Sequence, residues 1–260
     1  MPEGGAPDGL RVASSGISPA SPIDIMILSP TEVTVGELVR AVPARARVFE
    51  KLRIDYCCGG KKPLAEVCAQ RGLDAATVLT MLEAIDTGDG ATVVNADALS
   101  IADLCEHIER SHHDYLRQEL PRLDFMTSKV AAVHGAEEPR LVELREVFDG
   151  FAPEMVHHMH EEENVVFPRL RAIETPEGAG VTPDELRGIF AQLEEEHDGA
   201  GAALEKFRAL TDDFTPPEWA CNTFRALYDG LRQLEGDMHQ HVHKENNVLF
   251  PRALAALGGR

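Results

Sequence analysis

The sequence predicts an all-α fold, an antiparallel four-helix bundle preceded by a small helical domain. Three observations lead to this prediction. Four long segments repeat apolar residues every three or four positions, short connections join them, and an element rich in His and Glu occurs twice. Short connections make consecutive helices antiparallel neighbours, and a bundle of four such helices can hold polar side chains that face inward.

Composition and charge indicate the class of protein. The chain has 260 residues and a net charge of −19, so a general phosphate-binding surface and a nucleic-acid partner are not expected. No apolar run approaches the roughly 20 residues that span a bilayer, and the first residues lack the basic and apolar regions of a secretory signal. The five cysteines are odd in number and mostly isolated, which fits a reducing compartment. We therefore expect a cytoplasmic protein without a membrane partner.

The first part of the chain divides into a tail, a small domain and a linker. Residues 1–33 are rich in Gly, Pro, Ser and Ala without a sustained period, and we predict that they are disordered. A capping box at Thr34 opens a small helical domain at residues 34–86. Residues 87–98 are predicted to be a linker, and the larger domain follows at residues 99–260.

Helix start and stop signals divide the small domain into three segments. Pro43 interrupts the first segment, glycines separate the first from the second, and Gly72 ends the second. A proline suits the first turn of the second segment, and an aspartate can cap the third. The predicted segments are Thr34 to about Arg53, Pro63 to about Gln70, and Asp74 to about Ile85.

The turn between the first two segments carries two adjacent cysteines, in Asp55-Tyr56-Cys57-Cys58-Gly59-Gly60. A helix N-terminus and the two lysines that follow favour thiolate, so Cys57 and Cys58 are candidate redox or metal-transfer thiols. A tight turn with incidental cysteines explains the same residues equally well. The other cysteines lie in helical, largely apolar surroundings and are expected to be core residues: Cys68, Cys105 and Cys221.

Four helices are predicted in the larger domain. The first begins near Ser100, and Pro121 should kink or end it. The second spans about residues 139–170, where Gly150 and Pro153 predict a bend. The third and fourth helices have capped Thr-Pro starts, at Thr182 and Thr215.

The second and fourth helices carry the duplicated element. Each copy has a His, a Glu four positions later, and a Phe-Pro pair that we expect to end the helix, and the copies are 83 positions apart. Residues four apart share one face of a helix. The apolar steps of both helices continue through these residues, so they should face the core. The pairs are His158 with Glu162 and His241 with Glu245.

Inward-facing carboxylates indicate that this face binds a cation. A carboxylate removed from water normally protonates, pairs or binds metal. Core histidines and stray acids on an amphipathic helix would explain one such pair better than a metal site would. Two copies in matched register favour the metal site.

The first and third helices extend the duplication. His113-Asp114 recurs as His197-Asp198, 84 positions later, so each half supplies one further His. Periodicity alone places His112 on the apolar stripe at least as well as His113, and the His-Asp match favours His113. Other histidines lie off the stripe or beside it and are expected to be outer or surface residues: His157, His160, His239 and His243.

The predicted ligand set suits two metal ions. Four imidazoles and two carboxylates exceed what one tetrahedral zinc requires, and two metals bridged by the carboxylates would use them all. Imidazole with carboxylate in a helical bundle favours iron. The ferritin-like pattern pairs Glu with a His three positions later and does not match. The candidate ligands are His113, His158, Glu162, His197, His241 and Glu245.

These motifs resemble a known family. The His-x-x-x-Glu pairs that end in Phe-Pro are similar to the hemerythrin-like di-iron fold, and the segment from Asp55 to Gly60 resembles the short first domain of the Repair of Iron Centres proteins. The resemblance covers about Thr34 to Leu257, and the tail departs from it. It implies two bridged, non-haem irons on the six candidate ligands. It also implies a bacterial protein that restores iron-sulfur clusters damaged by nitric oxide or peroxide.

Two functions of different class remain open. The first is a repair protein that donates iron to damaged iron-sulfur proteins or apo acceptors, with the cysteines assisting transfer. The second is an enzyme that reduces nitric oxide at the di-iron centre. A sensor of oxygen or nitric oxide is weaker, because the chain shows no output domain. Oxygen storage is disfavoured, since oxygen-carrying hemerythrins use an asymmetric set of five His. The sequence leaves a homodimer open.

Overall fold

The computed structural model describes residues 31–86, 94–175 and 180–258. Most of the predicted tail, residues 1–30, and most of the predicted linker, residues 87–93, lie outside the described residues. Within those residues the chain is helical and carries an isolated β-bridge between Thr34 and Pro63. The predicted all-α fold, with a helical bundle after a small helical unit, is confirmed.

In the described residues before the bundle, the chain forms four short α-helices. Thr34 and Glu37 form the predicted capping box, in which each side chain accepts a backbone N–H of the other. Pro43 starts a short 3₁₀ turn that separates the first two helices, as the sequence predicts. The helices are α1 (Val35–Ala41), α2 (Ala46–Leu52), α3 (Leu64–Gln70) and α4 (Ala75–Asp86).

These four helices share one apolar core, which is distinct from the core of the bundle. Val33 is buried in it, although we placed this residue in the disordered tail. Its carbonyl accepts the N–H of Leu64, so the chain is already bound to α3 before α1 begins. The packed unit therefore starts at least one residue earlier than predicted.

Four long helical runs form the bundle, and three of them contain a π turn, a widened turn with one extra residue. Each run packs against two neighbours, so that α5 contacts α6 and α8, and α7 contacts α6 and α8. The runs are α5 (Ile101–Ile108, π turn Glu109–His113, Asp114–His134), α6 (Arg140–Glu161, π turn Glu162–Val166, Phe167–Ile173), α7 (Pro183–Leu210) and α8 (Asn222–Lys244, π turn Glu245–Leu249, Phe250–Gly258).

Prolines do not end these runs where the sequence predicts. Pro121 lies inside α5, which continues to His134 because buried leucines anchor it on both sides of the proline. The Phe-Pro pairs do not stop α6 or α8 either. Each follows a π turn directly, and Pro168 or Pro251 then sits in the first turn of a new α-helical segment. A proline tolerates this position because its missing N–H has no helical partner there.

Helix α8 begins seven residues later than predicted, at Asn222 instead of Thr215. The intervening residues form a loop whose carbonyls are used by Arg225, which donates to Ala220 and Glu218. The start of α7 agrees with the prediction, since Thr182 and Glu185 form a capping box with Pro183 in the first turn. Capping signals therefore located one of the two Thr-Pro starts correctly.

The bundle core consists of two apolar clusters, one toward each end. Along every run, the candidate ligands lie between residues of the first cluster and residues of the second. On α7, for example, His197 lies between Leu193 and Ala200. The polar site is thus enclosed within the bundle. No helix of the described chain combines the length and apolarity needed to cross a membrane.

The cysteine turn of the N-terminal unit packs against α7 and α8. Asn247, two residues after Glu245, donates its side-chain amide to the carbonyls of Cys57 at 2.9 Å and Tyr56 at 3.3 Å. The Tyr56 hydroxyl accepts from Gln240 on α8 at 2.8 Å. Lys61 forms an ion pair with Glu194 on α7 at 2.6 Å. These contacts hold both cysteines beside the middle of the bundle.

Candidate metal centre

All six candidate ligands converge in the middle of the bundle, and all six are buried. Their donor atoms form two overlapping groups, and the atoms of each group lie within 4.8 Å of one another. The two glutamates belong to both groups. The first group is His113, Glu162, His241 and Glu245, and the second is His158, Glu162, His197 and Glu245.

Three of the ligands lie on π turns. His113 is the last residue of the π turn in α5, and the two glutamates are the first residues of those in α6 and α8. A π turn adds one residue to a helical turn and is frequent at functional sites. Glu162 and Glu245 thus occupy the same place in the two copies of the duplicated element.

Both carboxylates lie between imidazoles of the two groups. One oxygen of Glu162, Oε2, lies 3.3 Å from Nε2 of His113 and 3.4 Å from Nε2 of His158. Glu245 places Oε1 2.8 Å from Nε2 of His241 and Oε2 3.2 Å from Nε2 of His197. Each glutamate therefore faces one histidine of each group.

Several polar atoms of this cluster lack a hydrogen bond among the residues that the structure describes. They include both carboxylate oxygens of Glu162 and Oε2 of Glu245, all buried. In each group two imidazole Nε2 atoms also face each other, at 3.2 Å for His113 and His241 and 3.1 Å for His158 and His197. Buried acceptors without donors are costly, and a cation among them removes that cost. The residues therefore fit metal ions.

Hydrogen bonds on the outer side of the rings orient three of the four histidines. Nδ1 of His113 contacts Glu163 at 2.7 Å, and Nδ1 of His158 contacts Glu196 at 2.7 Å. Nδ1 of His197 contacts Asn246 at 2.9 Å. When Nδ1–H donates to such an acceptor, the lone pair of Nε2 points into the site, and the ring becomes a better ligand.

We did not identify these outer partners from the sequence, although a signal was present. Glu163 and Asn246 stand at the same position of the two repeated elements, one residue after the candidate glutamates. The duplication that revealed the ligands could have identified this pair. For Glu196, the only signal in the sequence was its position directly before the candidate ligand His197.

His112 and His113 point in different directions. His113 joins the first group, whereas His112 belongs to neither group. The His112 ring stacks against the His241 ring, with Nδ1 2.8 Å from Asp237 and Nε2 2.7 Å from the amine of Lys244. Burial and the lysine charge lower the pKa of His112 to about 2. Periodicity could not separate the two residues because the π turn changes the register within this segment.

The electrostatics of the site couple the carboxylates to two of the imidazoles. Burial alone would lower the pKa of His113, but the neighbouring Glu162 and Glu245 outweigh it and raise the value to about 9. The same balance raises the pKa of His197 to about 9. Burial dominates for His241, whose pKa falls to about 4.

The buried thiol, Cys57, differs from the expectation based on the lysines. Contact with Cys58, burial and the nearby Asp55 carboxylate raise the pKa of Cys57 well above its ordinary value, so the prediction of a favoured thiolate is wrong for this residue. Lys61 is bound to Glu194 instead, and the helix that starts at Cys58 is a single 3₁₀ turn. The contact with Cys58, burial and the negative charge of Asp55 therefore favour the protonated thiol of Cys57.

The remaining predictions for cysteines and histidines have mixed outcomes. Cys68 and Cys105 are buried as predicted, but Cys221 is exposed, because α8 starts after it and leaves it at the helix cap. His157 and His160 are exposed. His243 is buried against the cysteine turn, with Nδ1 3.3 Å from the Tyr56 carbonyl.

Comparison with known proteins matches two family models to separate parts of the chain. A domain of unknown function, DUF542, matches residues 31–86, and the hemerythrin HHE cation-binding domain matches residues 106–253. An iron-sulfur cluster repair protein, YtfE of Musicola paradisiaca, is 36% identical over 223 residues, or 86% of this chain and 96% of the relative. YtfE of Escherichia coli is 35% identical over 85% of this chain and 96% of its own length. The repair protein ScdA of Staphylococcus haemolyticus is 34% identical over 84% and 96%.

Proposed function

The chain belongs to the iron-sulfur cluster repair proteins, and from this premise we propose that it repairs damaged iron-sulfur clusters by donating iron from a two-iron site. The names of the relatives concern repair, which favours this function over nitric oxide reduction. The partners are then iron-sulfur proteins that have lost iron from their clusters.

The sharing of two buried glutamates by two histidine pairs carries this proposal. We assign Glu162 and Glu245 as bridging ligands, His113 and His241 as ligands of one iron, and His158 and His197 as ligands of the other. This assignment uses every buried carboxylate oxygen of the cluster that lacks a donor among the described residues. The donor set of imidazole and carboxylate suits iron.

The surrounding residues orient the site and enclose it. Glu163, Glu196 and Asn246 fix three imidazole rings through Nδ1. The apolar clusters on both sides of the site exclude water from the interior of the bundle. Bound ferrous iron would be the cargo that a damaged cluster needs. Asn247 joins the second π turn to the cysteine turn, so the bridging Glu245 lies close to the surface on which the two thiols are held.

Metal content tests the ligand assignment. We expect about two irons per chain in anaerobically purified protein, and Glu162→Ala should lose most of the iron because both metals share this ligand. Glu161→Ala is the matched control, since Glu161 is partly exposed and belongs to neither group. Elemental analysis measures both variants. Full retention of two irons in Glu162→Ala, or a single zinc in the parent, would contradict the assignment.

Iron transfer tests the function. The iron-loaded protein is mixed with an apo iron-sulfur protein and sulfide, and the visible absorption of the rebuilt cluster is followed. We expect cluster absorption to rise as the donor loses iron, whereas Glu162→Ala should support no transfer. Retention of all iron by the donor would overturn the proposal. Repeated nitrous oxide formation from nitric oxide, with no transfer to the acceptor, would favour the reductase instead.

A further inference from the structure

The two adjacent thiols are held in unequal environments. Their sulfur atoms are 3.9 Å apart. Cys57 is 6% exposed and belongs to the bundle core, whereas Cys58 is half-buried. Both cysteines line one cavity, but Cys57 is almost completely buried, so a reagent from solution reaches Cys58 more readily than Cys57.

Asp55 is fixed against the buried thiol. Its Oδ1 accepts the backbone N–H of Cys57 at 3.0 Å and the Cys57 S–H at 3.2 Å. Its other oxygen, Oδ2, accepts the N–H of Gly59 at 2.8 Å. These two backbone bonds aim the carboxylate at the Cys57 sulfur, where it can take the thiol proton.

A cavity gives access to Cys58. It has a volume of about 320 Å³ and is walled by small residues of α7 on one side and by Met238 on the other. A larger cleft of about 720 Å³ between the N-terminal unit and the bundle shares part of its lining, including Asp55 and Leu204. A β-carbon added at Gly201 would stand 3.8 Å from the Cys58 sulfur, so this glycine leaves room in front of the thiol.

The geometry points to a redox-active dithiol, in which Cys58 reacts with external disulfides, Cys57 resolves the product, and Asp55 accepts the Cys57 proton. In the first step the Cys58 thiol attacks a low-molecular-weight disulfide. A mixed disulfide forms on Cys58, and one thiol of the reagent leaves with the Cys58 proton. In the second step Cys57 passes its proton to Asp55 and attacks the Cys58 sulfur. The Cys57–Cys58 disulfide forms, and the second reagent thiol leaves and takes up that proton.

The net reaction oxidises two protein thiols and reduces one external disulfide. The product is readily reversed. Neighbouring Cα atoms are about 3.8 Å apart, which is below the usual range for a disulfide, so the ring is strained and excess thiol reopens it. The inference concerns the thiols alone and does not require metal, although Cys58 contacts the carbonyl of His197 at 3.6 Å. The Cys57–Cys58 pair, which exchanges two electrons between its dithiol and disulfide forms, would then lie beside the proposed iron site.

Mass spectrometry after treatment with glutathione disulfide tests the roles of the two thiols. The full-length chain carries Cys221→Ser in every sample, because Cys221 is exposed and would react as well. We expect this parent to lose two hydrogens without keeping an adduct, and Cys57→Ser to accumulate one glutathione adduct. Cys58→Ser should not react. Adducts that form equally fast on the Cys57→Ser and Cys58→Ser variants would overturn the proposal, as would a stable adduct on the parent.

Two further variants separate chemistry from folding. Asp55→Asn should leave the first step unchanged and slow ring closure by roughly tenfold or more, whereas a general disturbance of the turn would change both steps. Gly201→Leu should slow adduct formation roughly tenfold by filling the cavity. Gly199→Leu is its control on the same helix, since a β-carbon there would meet nothing within 4 Å. Equal rates in both Leu variants, or an unchanged closing step in Asp55→Asn, would contradict the mechanism.

The thiol reaction and the proposed iron site can fail independently. Glu162→Ala in the Cys221→Ser background removes the shared carboxylate but leaves the cysteine turn intact. We expect this variant to lose iron and to form the Cys57–Cys58 disulfide at the rate of its parent. Loss of disulfide formation together with iron would contradict a thiol couple that works without metal. Retention of iron with normal disulfide formation would contradict only the ligand assignment.

Discussion

Gly36 lies where α1 meets the bundle, and its replacement tests how tightly the two parts of the protein pack. A β-carbon at this position would stand 2.8 Å from the carbonyl oxygen of Gly60 and 2.6 Å from the side-chain oxygen of Asn247. The asparagine could rotate, but the Gly60 carbonyl belongs to the backbone of the cysteine turn. Relief therefore requires α1 to move by roughly half an ångström relative to that turn.

We expect Gly36→Ala to destabilise the protein by about 1–3 kcal/mol, as overpacking of a buried contact does. With a urea slope of roughly 2 kcal/mol per molar, the midpoint should fall by about 0.5–1.5 M. Far-UV circular dichroism in a urea titration measures the change.

Gly188→Ala is the matched control. Gly188 is exposed in the second turn of α7, and a β-carbon there meets nothing within 4 Å, so this variant should be more stable than the parent by about 0.5–1 kcal/mol. The two substitutions add the same methyl group with opposite expected effects. A midpoint for Gly36→Ala equal to or above that of the parent would refute the close packing inferred for this interface.

Two further predictions concern buried charge. Burial lowers the pKa of His243 to about 4 from its ordinary 6.5, so its contribution to stability should be complete above pH 6.5 and lost as the pH falls through about 4. Urea titrations at several pH values should show that the free energy of unfolding of the parent falls by up to about 3 kcal/mol over this range. His243→Gln should lack this loss, and equal pH profiles for the parent and the variant would contradict the prediction. Arg208→Met should cost about 3–5 kcal/mol, because it leaves the buried Glu235 carboxylate unpaired, whereas Arg187→Met, at an exposed pair, should cost at most about 0.5 kcal/mol. Similar melting temperatures for the two arginine variants would count against the role of burial.

The helical fold was accessible from the sequence because two independent patterns agree. Apolar periodicity located the long runs, and the duplication linked the second run to the fourth. Capping boxes fixed the starts at Thr34 and Thr182, where both partners of the motif bind each other's backbone. The same duplication selected six polar side chains that the structure brings together.

Features that depend on tertiary contacts were missed. The start of α8 was wrong because Arg225 binds the carbonyls of the preceding loop, and no local motif announces such a contact. The thiol of Cys57 was misjudged because it is buried against Cys58 and the bundle, and because Lys61, which was expected to favour the thiolate, binds Glu194 on α7. The π turns were not predicted because a widened turn contains the same types of residue as the α-helix around it and therefore has no composition of its own.

The π turns also explain why a Phe-Pro pair follows each candidate glutamate. A proline has no N–H, so the helical turn before it cannot close in the regular way. In α6 and α8 the turn before the pair is widened instead, and its first residue is the glutamate. The phenylalanines are buried, and Phe167 stacks against the ring of His113 while Phe250 stacks against that of His197. The motif thus shapes the helix around the ligand, although the sequence alone made it resemble a stop signal.

Among the outer partners of the four candidate histidines, the duplication is broken at one place, and this break should make the two proposed metal positions unequal. With the shift of 84 that relates the first and third helices, His112 corresponds to Glu196. Glu196 accepts from Nδ1 of His158, whereas His112 turns toward Asp237 and Lys244. Among the described residues, Nδ1 of His241 therefore has no partner. An imidazole without an outer acceptor is a less firmly oriented and less basic ligand.

We therefore expect the position held by His113 and His241 to lose its metal first. A chelator should remove iron in two phases, and His112→Glu should slow the faster phase by supplying the carboxylate that the other half already has. Loss of an outer-shell partner typically weakens metal binding by about 10- to 100-fold, so the phases should differ on that order. His239→Glu, away from both groups, should leave the two rates unchanged. Single-phase removal from the parent would show that the missing Nδ1 partner does not distinguish the two positions.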